Sequence, residues 1–431
     1  MGGSAFASGA DALYTPRMPP VVYTAVRDRC HSILFQLFAA VSSPIEGPGK
    51  SDYGDVDILL ALPLENTNES LSGHAAILRE AVKRLGAVRT TMVAHEGKAS
   101  IAIPWPADLA PPRFASDDNN ESTSSPAHIQ VDLSIAPSLD RLYWALFKHG
   151  HGDLWNILGA AVLRPLGLTI DEHALWLRVP EIERAHRNRA KVFLTDEPAT
   201  VLHFLGLSVV DKRGDSLWEK PFSSATALFE YATTCRFFVL PDDTDDKDSY
   251  SYTQDLSVLK ANDRRRMQYR PLFRQWITEY VPSLQAASQQ ATSDQPLSQL
   301  ITRESVREAA FAYFPGTEER FETVRTAWLR ERHLMAIRTA AKEAVPLELP
   351  SQYRGVVCAA VRRHLGLVMD KNGGVDGTGA DSAAATSAAV WTVEGVSAHV
   401  AANWPAITEA EAPVEHAQYL TYLASQKVGS S

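Results

Sequence analysis

The stretch SSPIEGPGKSDYGDVDILLALP, residues 42–63, supports two incompatible readings. Gly49-Lys50-Ser51 ends like a phosphate-binding loop of the form Gly-x-x-x-x-Gly-Lys-Ser/Thr. Asp55 and Asp57, two residues apart in an apolar run, suit a strand that presents carboxylates. A phosphate loop needs a first glycine whose N–H points at the phosphates, a strand before it and a helix after it. Here the first glycine position is Pro44, which has no N–H. Ahead of it, Val22, Val26, Cys30, Ile33, Leu34, Leu37 and Val41 recur at helical spacing, which predicts one amphipathic helix from Pro20 to Val41. Behind it, Asp55–Leu62 reads as a buried strand stopped by Pro63. The loop reading fails on every condition, and Gly47-Pro48-Gly49-Lys50-Ser51 is expected to be a flexible connector.

The carboxylate reading has more support. Asp55 and Asp57 share one face of the strand, while Val56, Ile58 and Leu60 supply the other. Two carboxylates at that spacing repel unless a cation sits between them. Hard divalent ions take such oxygen ligands and keep positions for phosphate and water. A third carboxylate, Asp132, lies in HIQVDLSI (128–135), where Ile129, Val131, Leu133 and Ile135 take one face and Gln130 and Asp132 the other. If the two strands are neighbours, three carboxylates converge, as two-metal phosphoryl transfer requires.

Between and beyond these strands the pattern is mixed, then helical. Residues 72–85 read as a helix closed by Gly86, and Val88–Val93 and Lys98–Ile103 as strands joined around Gly97. Residues 106–127 are polar and aperiodic, a disordered insertion within a hairpin. Ser138–Lys148 and Asp153–Leu163 are expected helices, the second with Asp153 as N-cap. Residues 168–179 suggest a hairpin, 191–195 a strand, and the next segment a helix with Pro198 in its first turn and Gly206 as its stop. Helices are then expected at 224–238, 259–280, 303–314, 317–344 and 353–365.

This order of elements and acids resembles the DNA polymerase β-like nucleotidyltransferase superfamily, poly(A) polymerases and terminal nucleotidyltransferases among them. Val41-Ser42-Ser43 stands where the family has hydrophobic-Gly-Ser, eleven residues separate it from Asp55-Val56-Asp57-Ile58, and Asp132 follows as the third acid. The resemblance spans about residues 20–137 and departs from the family at Ser42, where glycine is usual. It implies an α+β protein: a nucleotidyltransferase-fold mixed sheet with helices, followed by a larger, mostly helical C-terminal part. It implies an NTP substrate and two ions, Mg²⁺ or Mn²⁺. Asp55 and Asp57 are then ligands of both ions, and Asp132 serves the catalytic ion and the acceptor hydroxyl. Ser42, Ser43 and Lys50 are the triphosphate contacts. The reaction implied is transfer of an NMP to an acceptor hydroxyl with release of pyrophosphate, an RNA 3′-end being the first acceptor expected. The alternatives are transfer to a small molecule or protein, cyclic-nucleotide synthesis, or a scaffold that has lost turnover.

On this reading residues 1–19 are a flexible N-terminus and 20–165 the nucleotidyltransferase domain. Residues 166–369 form an α+β, then mainly helical domain, 370–388 a linker and 389–431 a helical appendage with one or two short helices. The 431 residues carry a net charge of −9, which argues against coating of nucleic acid. The basic cluster Asp263-Arg264-Arg265-Arg266, with Arg270, suits a nucleic-acid backbone, NTP phosphates or a solvated face. His149-Gly150-His151 reads as a loop between helices. Trp328, Leu329, Leu334 and Met335 read as the core side of an amphipathic helix. Three scattered cysteines without zinc spacing fit a reducing compartment. No secretory signal and no membrane span is visible, so a cytoplasmic or nuclear location is expected.

Overall fold

Strand β2 (Asp55–Pro63) is bracketed by a strand on each side, and this decides where its carboxylates stand. The structure is a computed structural model that describes residues 3–64, 73–109, 126–210, 214, 216–240, 257, 259–290, 301–367 and 391–428. Around β2 are α1 (Pro20–Leu34), β1 (Phe38–Ser42), α2 (His74–Arg84), β3 (Arg89–Val93), β4 (Lys98–Pro104) and β5 (His128–Ile135). They build a five-stranded sheet of order β1-β2-β5-β4-β3, in which β2 and β5 are parallel and the other pairs antiparallel. The chain is α+β, with this mixed sheet followed by a larger helical part.

One face of the sheet makes the core. Val56, Ile58 and Leu60 of β2, Ile101 of β4 and Val131 and Leu133 of β5 pack with Val22, Val26, Cys30 and Leu34 of α1 and Ile77, Leu78 and Ala81 of α2. The alternation in β2 and β5 puts these side chains inside and leaves Asp55, Asp57, Gln130 and Asp132 on the opposite face.

The helix expected from Pro20 to Val41 ends at Leu34. The Leu37 N–H turns back to the Leu34 carbonyl at 2.9 Å, and Phe38–Ser42 pair with Leu59–Pro63 as an edge strand. Phe38 and Val41 are both buried, a spacing of three that suits a helix and sets the two side chains on opposite faces of a strand. Pairing with β2 decides it, because the outer backbone groups of β2 would otherwise lack partners.

Residues 3–18, expected to be flexible, fold against the sheet. Tyr14 bridges to Ala127, Met18 bridges to Tyr53, and Phe6 and Met18 are buried. Of the expected insertion, 106–109 form a turn in which the Trp105 indole N–H donates to the Leu109 carbonyl, while 110–125 lie outside the described residues. The expected linker 370–388 also lies outside them.

Beyond β5, Ser138 caps α3 (Leu139–His149) by accepting from the Arg141 N–H. The expected helix at 153–163 is a short α-turn, Leu154–Ile157, running into a wider π-type turn, Leu158–Leu163. Asp153 does not cap it; its carboxylate accepts from the Phe273 N–H and from Arg270. Strands β6 (Leu168–Ile170), β7 (Leu175–Arg178) and β8 (Lys191–Thr195) form the expected hairpin and third strand. The helix expected at 259–280 breaks at Arg270, which precedes Pro271 and takes extended backbone angles, φ −119° and ψ 93°.

The chain divides into two units, residues 1–318 and 319–431. In the second unit the helices Val393–Glu411 and Pro413–Val428 are longer than expected, and they do not stand apart as an appendage. Val396, Val400, Ile407 and Ala412 share a core with Ile337, Val357, Val361 and Leu365. On the helix Thr317–Glu343, Trp328 is buried as expected, whereas Leu329 and Met335 are exposed. Among the described residues no helix is long and apolar enough to cross a membrane.

The side chain of Ile58 is fully buried between the sheet and its helices. Ile58→Ala is expected to lower the stability of the first unit by about 2–5 kcal/mol, read from the urea midpoint. A loss below about 1 kcal/mol would contradict this core.

Candidate metal centre

Parallel pairing of β2 with β5 sets Asp57 directly beside Asp132, and Asp55 directly beside Gln130. All four side chains share one face of the sheet, as their alternation requires. One carboxylate oxygen from each of Asp55, Asp57 and Asp132 lies within 4.8 Å of the others. Asp55 and Asp132 are half-buried and Asp57 is exposed. The convergence expected from the sequence is therefore present, and its cause is the register.

The electrostatics are those of an unneutralised acid cluster. Although Asp57 keeps an exposed edge, crowding of protein around its carboxyl and the charges of Asp55 and Asp132 push it up to about 7 from 3.8. Burial and Asp132 push Asp55 upward as well, against a partial offset from Lys50. Three oxygen donors this close form a donor set that fits a hard divalent ion.

Alternation along β5 sets Gln130 on the same face as Asp132. It is buried, and its amide Nε2 donates to both oxygens of Asp132, at 3.1 and 2.9 Å. Its Oε1 accepts from the Ala5 N–H at 2.9 Å. The signal in the sequence was the spacing of two within HIQVDLSI.

The expected triphosphate contacts are placed less uniformly. Ser42 ends β1 opposite Leu59, half-buried. Ser43 begins the following loop, with its hydroxyl 3.0 Å from His31 Nε2. Lys50 is bound to Glu46 at 2.7 Å and lies over the Tyr53 ring at 4.5 Å. Glu46 is held in turn by the Tyr23 hydroxyl at 2.7 Å, and Tyr23 stacks on Tyr53 at 3.9 Å. The loop expected to be a flexible connector is thus anchored. The Ile45 carbonyl accepts from the His151 N–H at 2.7 Å, and a Cβ on Gly152 would stand 2.9 Å from the Gly47 Cα.

The other candidates separate. His149 pairs with Glu172 at 3.0 Å and is close enough to Asp57 to favour its charged form. His151 is fully buried between Trp218 and Phe222, 4.6 and 4.8 Å away between ring centres, so the two histidines do not share a ligand site. In the basic cluster, buried Asp263 binds Arg164 through both oxygens, at 3.2 and 3.1 Å, and Arg266 at 2.7 Å. Arg270 goes to Asp153. Arg264, Arg265 and Arg270 are exposed, and Arg266 is half-buried.

A carboxyl raised in the folded state contributes stability that is full below its ordinary value, 3.8, and lost as pH rises through about 7. In EDTA, Asp57→Ala is therefore expected to melt higher than the wild type at pH 7.5, with the difference vanishing near pH 4. Mn²⁺ is expected to raise the wild-type melting temperature at pH 7.5 and leave the variant unchanged. A difference that does not grow between pH 4 and pH 7.5 would rule out the charge crowding.

No protein-family model matches the chain, and no curated protein matches its sequence. The functional reading rests on the geometry of these carboxylates.

Proposed function

We propose that the chain is a metal-dependent nucleotidyltransferase of the polymerase β-like kind, moving an NMP from an NTP to an acceptor hydroxyl. The observation that carries this is the set of three carboxylates on two parallel neighbouring strands, with Asp57 and Asp132 in direct register and all three within 4.8 Å. The order of elements from α1 to β5 is the one the resemblance requires, apart from the added strand β1 that bears Ser42.

On this reading Asp55 and Asp57 bind Mg²⁺ or Mn²⁺ from one strand, and Asp132 completes the set from the next. Such ions, when bound, lower the pKa of the attacking hydroxyl and neutralise charge on the triphosphate and leaving group. The rigid sheet holds the three acids in place before substrate arrives, so little reorganisation is needed during reaction. Asp132 faces the acceptor, and its oxygens are fixed in orientation by Gln130. Ser43, at the mouth of the loop before β2, is the hydroxyl best suited to a phosphate oxygen. Lys50 reaches a phosphate only by leaving Glu46, an exchange of one anionic partner for another.

For the acceptor, an RNA 3′-end rests on the resemblance alone. Engagement of Arg266 and Arg270 by Asp263 and Asp153 favours a smaller acceptor, a metabolite or a protein hydroxyl, because those cations are already neutralised.

The test is incubation with each α-labelled NTP and Mg²⁺ or Mn²⁺, with total RNA or with a metabolite and protein extract as acceptor, beside Asp55→Ala/Asp57→Ala. Label is expected to move to acceptor with the wild type. It is expected to fall by more than about a hundredfold in the variant, beyond what loss of an outer hydrogen-bond partner costs. No transfer by either protein would sink the proposal, and equal transfer by both would sink the site.

A further inference from the structure

Residues 3–18 touch the start of both acid-bearing strands. The Thr15 hydroxyl donates to the Gly3 carbonyl at 2.8 Å, and the Leu13 N–H to the Phe6 carbonyl at 2.8 Å, closing the segment into a compact loop. The His128 N–H donates to the Tyr14 carbonyl at the entry to β5. Met18 and Tyr53 exchange backbone hydrogen bonds of 2.7 and 2.9 Å just before β2. Gly3 has φ +86° and lies so close to Gly54, the residue before Asp55, that a Cβ would stand 2.3 Å from the Gly54 carbonyl oxygen. The Ala5 N–H meets Gln130.

We propose that Gln130 is a positioning residue for Asp132 and that the segment 3–18 holds it in that role, so that cation affinity depends on docking of the segment. This rests on the metal-centre reading of the three aspartates. An amide has a donor end and an acceptor end, and its neighbours choose between its two orientations. The Ala5 N–H can only donate, so it fixes Oε1 toward the segment and Nε2 toward Asp132. The reverse orientation sets the amide oxygen against a carboxylate and N–H against N–H. With Nε2 shared between both oxygens, rotation of the carboxylate is restrained, with one of its oxygens within 4.8 Å of an oxygen of Asp55 and of Asp57. Partners of this kind orient metal-binding side chains, and their loss weakens metal affinity about tenfold to a hundredfold. Without the Ala5 N–H the amide is free to turn, and Asp132 loses its only side-chain donor among the described hydrogen bonds.

The experiment is Mn²⁺ titration of the full chain, with free aqueous Mn²⁺ read by electron paramagnetic resonance. Four proteins accompany the wild type: Asp55→Ala/Asp57→Ala, Gln130→Met, Gly3→Val and Ser8→Ala. Gln130→Met keeps the length of the side chain and removes the amide. Gly3→Val leaves Gln130 intact and blocks docking against Gly54, and Ser8→Ala is an exposed control on the same segment. Wild type and Ser8→Ala are expected to bind alike, and the aspartate variant not at all. Gln130→Met and Gly3→Val are expected to bind about tenfold more weakly with the number of sites unchanged. Wild-type Kd in Gln130→Met overturns the positioning role while the metal centre stands, and wild-type Kd in Gly3→Val overturns the role of the segment. Fewer sites at unchanged Kd marks a folding defect only and overturns both. No specific uptake by the wild type removes the metal centre and this inference together.

Discussion

The parallel pairing of β2 with β5 is the constraint on which the rest depends. It forces Asp57 and Asp132, two like charges, into adjacent register positions with Asp55 one step away. Between carboxylates about 4 Å apart the repulsion is about 1–4 kcal/mol per pair over the range from bulk water to a protein surface. The opposite face of the same two strands buries Val56, Ile58, Leu60, Val131, Leu133 and Ile135. At about 1.5–3 kcal/mol each, these six outweigh the repulsion, so the sheet imposes the cluster whether or not a cation is present. The acids do not build the site; the hydrophobic face does, and the acids are carried on its reverse.

This explains how much was legible in the sequence. The strands were readable because β2 and β5 alternate cleanly, and alternation gives the face of every side chain. Register is not written in alternation. That Asp57 meets Asp132, and not a neighbour two residues away, comes from the packing of both strands onto α1 and α2. Edge strand β1 is hidden in the sequence because its buried Phe38 and Val41, three apart, continue the helical spacing of α1, and only pairing with β2 makes it a strand. Gln130 was on the right face from the start, but its importance depends on Ala5, which is 125 residues away and whose contribution is a backbone N–H that no residue type announces. The same holds for the basic run at 263–266. The sequence shows three arginines, while burial of Asp263 among the side chains of Arg164 and Arg266 shows a structural anchor.

The loop between β1 and β2 illustrates the opposite error. Its glycines and proline suggested freedom, yet Glu46, Lys50, Tyr23 and Tyr53 lock it by hydrogen bond, ion pair and ring stacking. The glycines serve close approach instead: Gly47 and Gly152 let two loops touch backbone to backbone. Ser43, at the start of this loop, is likewise held, its hydroxyl 3.0 Å from His31 Nε2.

His151, which sits in one of those two loops, has a consequence of its own. Its ring is buried against Trp218 and Phe222, its backbone is left-handed at φ +60°, and neither ring nitrogen has a hydrogen-bond partner among the described residues. Burial lowers its pKa to about 4 from 6.5. A group depressed in the folded state contributes stability above its unfolded value and loses it as pH falls through the folded one, the opposite sense to Asp57. Charging the buried imidazole costs desolvation, and that cost falls on the loop whose His151 N–H and Gly152 meet the Ile45 carbonyl and Gly47. Acid therefore acts on this contact as well as on the carboxylates, and it reaches the loop before β2 through a residue outside the acid cluster.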